Sequence, residues 1–308
     1  MSRPLISGQT FFLVNPASQN GATGRRWPEL AHRAAQLGLT GEALFSEHPG
    51  HLIELARDAA ARGAELVVAV GGDGTLNEVV NGIAGSETQL ATIPFGTGMD
   101  FVRTFGIPTR FDDAVRVATN GNVREIDAGR VRYRTWAGED AERWFANMGS
   151  VGMSGAVAQR ANGMSKALGG KATFFYALVR VFLQWQNTEV TVSLDGAERR
   201  GRMHDVIVAN GRFAGGGMKL APDATPDDGT FDVVLIGDVS KLDFATQAPG
   251  IYRGRHVKHP KVEVLRSTRV AVEAQEQLPI ELDGEQVGTT PVTFEIVPRA
   301  LKLRVPSS

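Results

Sequence analysis

The segment VVAVGGDGTLNEVVNG, residues 67–82, runs an apolar stretch into Gly71, Gly72, Asp73 and Gly74, and a helical pattern follows over 75–85. A strand that ends in glycines and opens a helix can hold a phosphate. Without Cβ atoms the backbone comes close to the anion and points its N–H groups at it, and the helix N-terminus adds partial positive charge. Asp73 is out of place there, because a carboxylate repels phosphate. A bridging divalent cation would reconcile the two, and Mg²⁺ is the usual companion of a nucleotide triphosphate. The same residues also read as a plain tight turn with Asp73 capping the helix.

Other segments carry comparable residues. VNPASQNGATG (14–24) follows the first strand, and IPFGTGMD (93–100) follows the fourth and ends in Asp100. REIDAG (124–129) places Asp127 at a change of rhythm in the chain, and ELDGEQVG (281–288) places Glu285 just past a tight turn. Singly, each is more often only a turn. Loops gathered at one sheet edge, with acidic residues near the change of rhythm, suggest a phosphate cleft. The standard P-loop is missing: GGKAT (169–173) lacks the first glycine at the right spacing and has Ala172 where Ser or Thr belongs.

The elements that must position these residues fall into two sets. Over the first 130 or so residues, apolar strands at 10–15, 42–46, 65–70 and 91–96 alternate with helical patterns at 24–38, 49–63 and 75–85. That alternation predicts a parallel sheet covered by helices on both faces, a Rossmann-like α/β domain, with ligands at the C-terminal ends of the strands. Beyond it come short strands separated by Gly, Asp and Pro turns, which predict an antiparallel β-sandwich interrupted by one helical insert at about 154–186. The expected domains are 1–128 and 129–308, with the last strand a candidate to return to the first domain.

The 308 residues are 42% hydrophobic and 22% charged, with a net charge of −1 and no cysteine. This balance gives no electrostatic case for nucleic-acid binding. The lack of cysteine removes disulfides, thiolate metal sites and a Cys nucleophile, and it fits a cytoplasmic protein. No apolar run reaches the roughly 18 residues a membrane span needs, so a membrane would be met from its surface, at the inner face.

The motifs NPAS..G (15–21), GGDGTLNEVVNG (71–82), PFGTGMDFVRTFGIP (94–108), NMGSVGMSG (147–155), GGGMKLAPDATPDDGTFDV (215–233) and LDGE (282–285) stand in this order. Together they make the chain resemble the diacylglycerol kinase catalytic-domain superfamily over nearly its whole length. It is most similar to that superfamily's bacterial soluble lipid kinases, relatives of sphingosine and ceramide kinases. The resemblance implies an α/β nucleotide domain, a β-sandwich domain and an active site in the cleft between them, where ATP phosphorylates a lipid hydroxyl with Mg²⁺. It implies that Gly72, Asp73, Gly74, Thr75, Leu76, Asn77 and Glu78 hold the ATP phosphates, with Thr97 and Ser46 as further nucleotide contacts. It makes Glu285 the catalytic base and Asp73, Asp100 and Asp127 the acidic network around the catalytic Mg²⁺. A second, structural cation would take the Asp228 carboxylate and the carbonyls of Thr225 and Thr230. Met99 departs from the family's usual asparagine, and a thioether cannot replace an amide's hydrogen bonds.

The lipid is expected at a membrane surface, and diacylglycerol, phosphatidylglycerol, sphingoid bases and ceramide all offer a suitable hydroxyl. Leu168, Phe174, Phe175, Leu178, Val179 and Phe182 of the insert are candidates for an acyl groove, and equally for ordinary core. The basic stretch YRGRHVKHPK (252–261) could meet anionic headgroups or simply be solvated. A homodimer is entertained, though the residues do not fix the assembly. Two other readings stay open: an NAD kinase-like enzyme, which would share the GGDGT loop, and a non-catalytic lipid- or nucleotide-binding homologue.

Overall fold

A computed structural model describes residues 8–96, 99–162 and 170–307, without a side-chain account for 162, 170–175, 244, 247 and 248. The chain divides into two compact units, 1–127 with 298–308, and 128–297.

The first unit contains β1 (Thr10–Val14), α1 (Ala22–Gln36), β2 (Glu42–Phe45), α2 (His51–Ala61), β3 (Leu66–Gly71), α3 (Asp73–Ile83), β4 (Gln89–Pro94), α4 (Asp100–Phe105) and α5 (Phe111–Asn120). The strands lie in the order β2-β1-β3-β4, all parallel. Lys302 and Leu303 of the chain's last strand extend the sheet beyond β4, again in parallel. Every residue of β1 and β3 is buried, as a strand covered on both faces requires. Trp27, Leu30 and Ala34 form the buried stripe of α1, and the Trp27 ring meets Phe12 of β1 edge-on at 5.2 Å. The sequence reading predicts neither α4 nor α5. The six residues of α4 are too few for a helical period to stand out, whereas the ten of α5 do carry one, with Ala114, Val115 and Ala118 buried on one face, and the sequence reading passed over it.

The second unit contains β5 (Asn122–Arg134), β6 (Asp140–Phe145), β7 (Met148–Gly152), α6 (Met153–Asn162), α7 (Gly170–Gln184), β8 (Thr188–Leu194), β9 (Ala197–Met203), β10 (Asp205–Ala209), β11 (Phe231–Ile236), α8 (Lys241–Ile251), β12 (Val262–Ser267), β13 (Arg269–Ala274), β14 (Pro279–Leu282) and β15 (Glu285–Val305). Strands β5 and β15 run on into the first unit. One antiparallel run is β12-β11-β10-β7-β14-β15, and a second is β9-β8-β13-β15. The long β15 serves both: residues 285–289 pair with β14 and residues 292–295 with β13. Between the runs, the Phe145 ring stacks on Phe231 at 5.6 Å and meets Phe294 edge-on at 6.0 Å. This is the predicted sandwich, and α6 and α7 are its helical insert. The sequence pattern misses α8, whose residues KLDFATQAPGI include a proline and show little amphipathic order.

Candidate active site

In the first unit the strand order reverses between β1 and β3, the place where such sheets bind ligands beyond their C-terminal ends. Short hydrogen bonds tie the strand ends there. The Asn15 N–H donates to the Val70 carbonyl at 3.2 Å, the Ser46 N–H to Val14 at 3.0 Å, and the Phe95 N–H to Gly71 at 2.6 Å. The Asn15 amide Nδ2 donates to the Thr75 hydroxyl at 3.2 Å, joining the loop after β1 to the loop after β3.

The glycines of these loops are needed for space. Gly72 sits at φ −97°, ψ −168°, extended backbone open to any residue. A Cβ on Gly72 would stand 3.2 Å from the Cα of Gly96, and one on Gly96 would stand 2.5 Å from the Cα of Gly72. The loops after β3 and β4 therefore meet glycine to glycine, closer than side chains allow.

Asp73 opens α3, where the helix dipole favours a carboxylate. Its oxygens also accept N–H groups from the start of α4: Met99 at 2.6 Å, Asp100 at 3.1 Å and Phe101 at 3.4 Å. The carboxylate that looks misplaced in a phosphate loop is thus held and stabilised by backbone donors. Met99 adopts the left-handed conformation, φ 57°, ψ 38°, which asparagine tolerates best after glycine. Its tie to Asp73 comes from the main chain, which methionine supplies as well as asparagine.

The rest of the expected nucleotide segment is engaged within the protein. Thr75, Leu76 and Asn77 are buried, and Glu78 accepts the Leu52 N–H of α2 at 3.1 Å. Gly72, Asp73 and Gly74 are the partly exposed part of the loop. Ser46 is half-buried at the end of β2, and Thr97 lies outside the described residues. Asp100 is buried with its carboxylate 3.9 Å from Arg103 Nε. Asp127, 1% exposed, accepts the N–H of Arg299, a residue with φ 54°.

These residues fit a Mg²⁺ ion that arrives with a nucleotide. Asp73 and Asp100 are hard oxygen donors joined through the Asp100 N–H, which donates to the Asp73 carboxylate at 3.1 Å, and Mg²⁺ takes one or two carboxylates along with substrate phosphates. Among the described residues no three acidic or histidine side chains gather into a cation site of their own.

In the second unit Glu285 starts β15 after a two-residue turn, Asp283 at φ 49° and Gly284 at φ 91°, the hairpin that Asp-Gly favours. The Glu285 carboxylate pairs with Arg143 Nη1 of β6 at 3.1 Å and is about one-third exposed. The Asp283 carboxylate accepts the N–H groups of Ala146, Asn147 and Met148 at 3.0, 3.1 and 2.8 Å. Asn147 donates through Nδ2 to the Phe213 carbonyl, and Asn210 through Nδ2 to that of Ala146, both at 2.8 Å. The turn carrying Glu285, the NMGS segment and the loop after β10 are thereby locked together. Sequence reasoning passed over Asp283 and Arg143. For Asp283 a signal was present: a carboxylate in an Asp-Gly turn directly before the candidate base.

Asp228 is engaged already. One oxygen accepts the Thr230 N–H at 3.1 Å and the Thr230 hydroxyl at 3.0 Å, and the other pairs with Arg266. A cation there would have to take Arg266's place. Leu178 and Phe182 pack on Met153 and Val157 of α6 as local core, and Val179 lies on the opposite, exposed face. Leu168 and the side chains of Phe174 and Phe175 lie outside what is described. His256 is buried and bonds through Nε2 with the Leu220 carbonyl at 3.0 Å, so that part of the basic stretch does not face solvent. Burial pushes its pKa down.

Residues 9–131 match the diacylglycerol kinase catalytic domain, and residues 147–305 match the YegS C-terminal NAD kinase beta sandwich-like domain. Fold and family models together define a phosphotransferase with an alcohol group as acceptor. The chain belongs to the diacylglycerol kinase family of lipid kinases. It is 28% identical over 299 residues to a diacylglycerol kinase of Bacillus subtilis (strain 168), covering 96% of this chain and 95% of that protein. It is 28% identical over 284 residues to one from Staphylococcus carnosus (strain TM300), covering 92% and 90%. Its fold is also that of a crystal structure of a diacylglycerol kinase from Bacillus anthracis str. Sterne, with a TM-score of 0.73, 20% identity, and coverage of 99% and 98%.

Proposed function

We propose that this protein transfers the γ-phosphate of ATP to the hydroxyl of diacylglycerol or a similar lipid. The observation that carries the reading is the loop edge of the first unit, where Gly72 and Gly96 meet beside the start of α3. It offers backbone room and a helix N-terminus to an anion, as phosphate binding requires. Gly72, Asp73 and Gly74 form the centre of the phosphate site. Ser46 and Thr97 are further nucleotide contacts, and Thr75, Leu76, Asn77 and Glu78 shape the loop from behind. A nucleotide-bound Mg²⁺ would supply neutralisation of phosphate charge. Asp73 and Asp100 would hold it, with Asp127 completing the acidic set.

Glu285 is the proposed general base. It takes the lipid hydroxyl's proton as the oxygen bonds to the γ-phosphorus and the bond to the bridging oxygen of ADP breaks. Arg143 holds the carboxylate in place from β6. Asp228, with the carbonyls of Thr225 and Thr230, is the proposed seat of a second, structural cation in competition with Arg266. The protein acts where its lipid lies, at the inner surface of the membrane.

The test is transfer of labelled γ-phosphate from ATP and Mg²⁺ to a micellar panel of diacylglycerol, phosphatidylglycerol, sphingoid base and ceramide, with NAD as control. Labelled lipid that disappears in Glu285→Ala, with ATP affinity kept, supports the reading. Full activity of Glu285→Ala removes the base assignment, and label in NAD moves the protein to the other kinase class.

A further inference from the structure

The structure sets a cation, Arg143, against the candidate base, and stability alone does not account for it. Its Nη1 donates to Glu285 Oε2 at 3.1 Å, with both side chains about one-third exposed. An ion pair that open to water adds little to stability. The bond also uses little of the guanidinium. Arg199 grips Glu263 through Nε and Nη2 together, the fork that suits a structural pair. Arg143 spends one of its several N–H donors on Glu285, and among the described residues its side chain makes no other hydrogen bond. Its place is nonetheless fixed. Arg143 lies on β6 opposite Val131 of β5. The Tyr133 ring of β5 packs on Gly288 of β15, where a Cβ would stand 2.6 Å from ring carbon Cδ2. The β5–β6 ribbon is therefore keyed to β15 just beyond Glu285. Burial raises the pKa of the Tyr133 phenol, while the Arg143 charge lowers it and the Glu285 charge raises it. The three side chains share one neighbourhood.

We propose that Arg143 changes partners during the reaction: it pairs with the Glu285 carboxylate before transfer and binds the new phosphomonoester once Glu285 is protonated. The inference rests on the lipid-kinase reading and deepens it. A general base works within hydrogen-bond reach of the hydroxyl it deprotonates, about 2.6–3.2 Å. The oxygen that gives its proton to Glu285 is the one that bonds to phosphorus. The transferred group is thus assembled beside Glu285, and hence beside Arg143. The proton neutralises the carboxylate, ADP leaves with the electron pair of the broken P–O bond, and the lipid gains an anionic phosphate. A neutral carboxyl is a weaker partner for a guanidinium than that phosphate, whose oxygens match the fork. The attraction of Arg143 to the phosphoryl oxygens therefore grows as its attraction to Glu285 fades. An interaction that strengthens toward the transition state raises kcat rather than substrate affinity.

The experiment titrates dihexanoyl phosphatidate, a soluble phosphomonoester lipid, into the full chain without nucleotide, alongside phosphate transfer to dihexanoylglycerol. Glu285→Gln imitates the protonated base and should bind phosphatidate about tenfold tighter than wild type. In an Arg143→Met background the same change should gain about threefold or less, the part due to removing carboxylate repulsion alone. Arg143→Met by itself should lower kcat about a hundredfold with little change in KM for the lipid. Arg143→Lys keeps a charge that can hold phosphate and should recover part of that loss. Arg132→Met breaks a comparable pair with Glu142 on the same ribbon and should change neither phosphatidate affinity nor kcat. Melting temperatures near wild type separate these effects from unfolding. An equal gain from Glu285→Gln in both backgrounds overturns the proposal, and so does wild-type kcat in Arg143→Met. A wild type that binds phosphatidate through Arg143 yet transfers no phosphate supports the phosphomonoester site and refutes the kinase reading. Transfer that is indifferent to Arg143 refutes the exchange and leaves the kinase reading standing.

Discussion

Replacing Gly96 by alanine would put a Cβ 2.5 Å from the Cα of Gly72 and 3.4 Å from its amide nitrogen. Carbon atoms in contact settle at about 3.5–4.0 Å. The two loops would therefore have to part by about 1 Å, since both sides of the contact are main chain and neither can rotate away. Overpacking of this kind costs about 1–3 kcal/mol. The functional loss should be larger, because displacing a positioned group by about 1 Å costs about a hundredfold in rate. Gly72→Ala is the graded partner. Its Cβ would stand 3.2 Å from the Gly96 Cα, and its backbone angles suit alanine, so a shift of about 0.3 Å suffices and the cost stays below about 1 kcal/mol. Urea unfolding measures the first quantity, and ATP titration with phosphate transfer the second. Gly96→Ala should be clearly worse than Gly72→Ala in all three. The reasoning fails if Gly96→Ala matches wild type in stability and ATP affinity. It also fails if Gly72→Ala is the one that loses ATP while remaining stable, since the glycines would then serve only the ligand.

Met99→Asn should raise the urea midpoint by about 1 kcal/mol of stability, because asparagine relieves the left-handed strain and keeps the N–H that Asp73 accepts. A loss of stability would mean that the thioether packs in a way that matters. Asp283→Asn keeps a residue that tolerates φ 49° but turns one acceptor into a donor facing the N–H groups of 146–148. It should cost about 2 kcal/mol in urea unfolding. The Asp205 carboxyl, buried against Ser154 at the start of α6, is pushed up to about 8 by loss of solvent. The unfolded chain releases that proton near 3.8 and the folded chain retains it to about 8. Stability should therefore fall as pH rises between those values, by up to about 1.4 kcal/mol per pH unit. Asp205→Asn should flatten the decline and melt higher than wild type near the top of that range, and identical pH profiles for the two proteins would refute the assignment.

How far these features could be read in advance follows from the range over which each is encoded. The VVAV of β3 is apolar because both its faces are covered, and β8 alternates because only one face is, buried at Val190, Val192 and Leu194. Both patterns are local, so the two-part architecture was legible. The helix α4 was not, because its start is fixed from outside. Its first N–H groups are taken by Asp73, 26 to 28 residues earlier in the chain. No local pattern shows which N–H groups a distant carboxylate will accept. The same blindness hid the backbone donors that meet Asp73 and led the sequence reading to count Met99 as the loss of an amide. In the structure the side chain at 99 is incidental to that contact and its backbone is what matters. Gly96 carries the point further. Nothing in PFGTG shows that its third residue must lie against Gly72, because the constraint is an absence of atoms on two strands' ends at once. A residue proposed to act through its side chain, such as Glu285, can be named from a motif. Residues that act by leaving room, or by receiving a remote side chain on the main chain, become visible only when the loops are brought together.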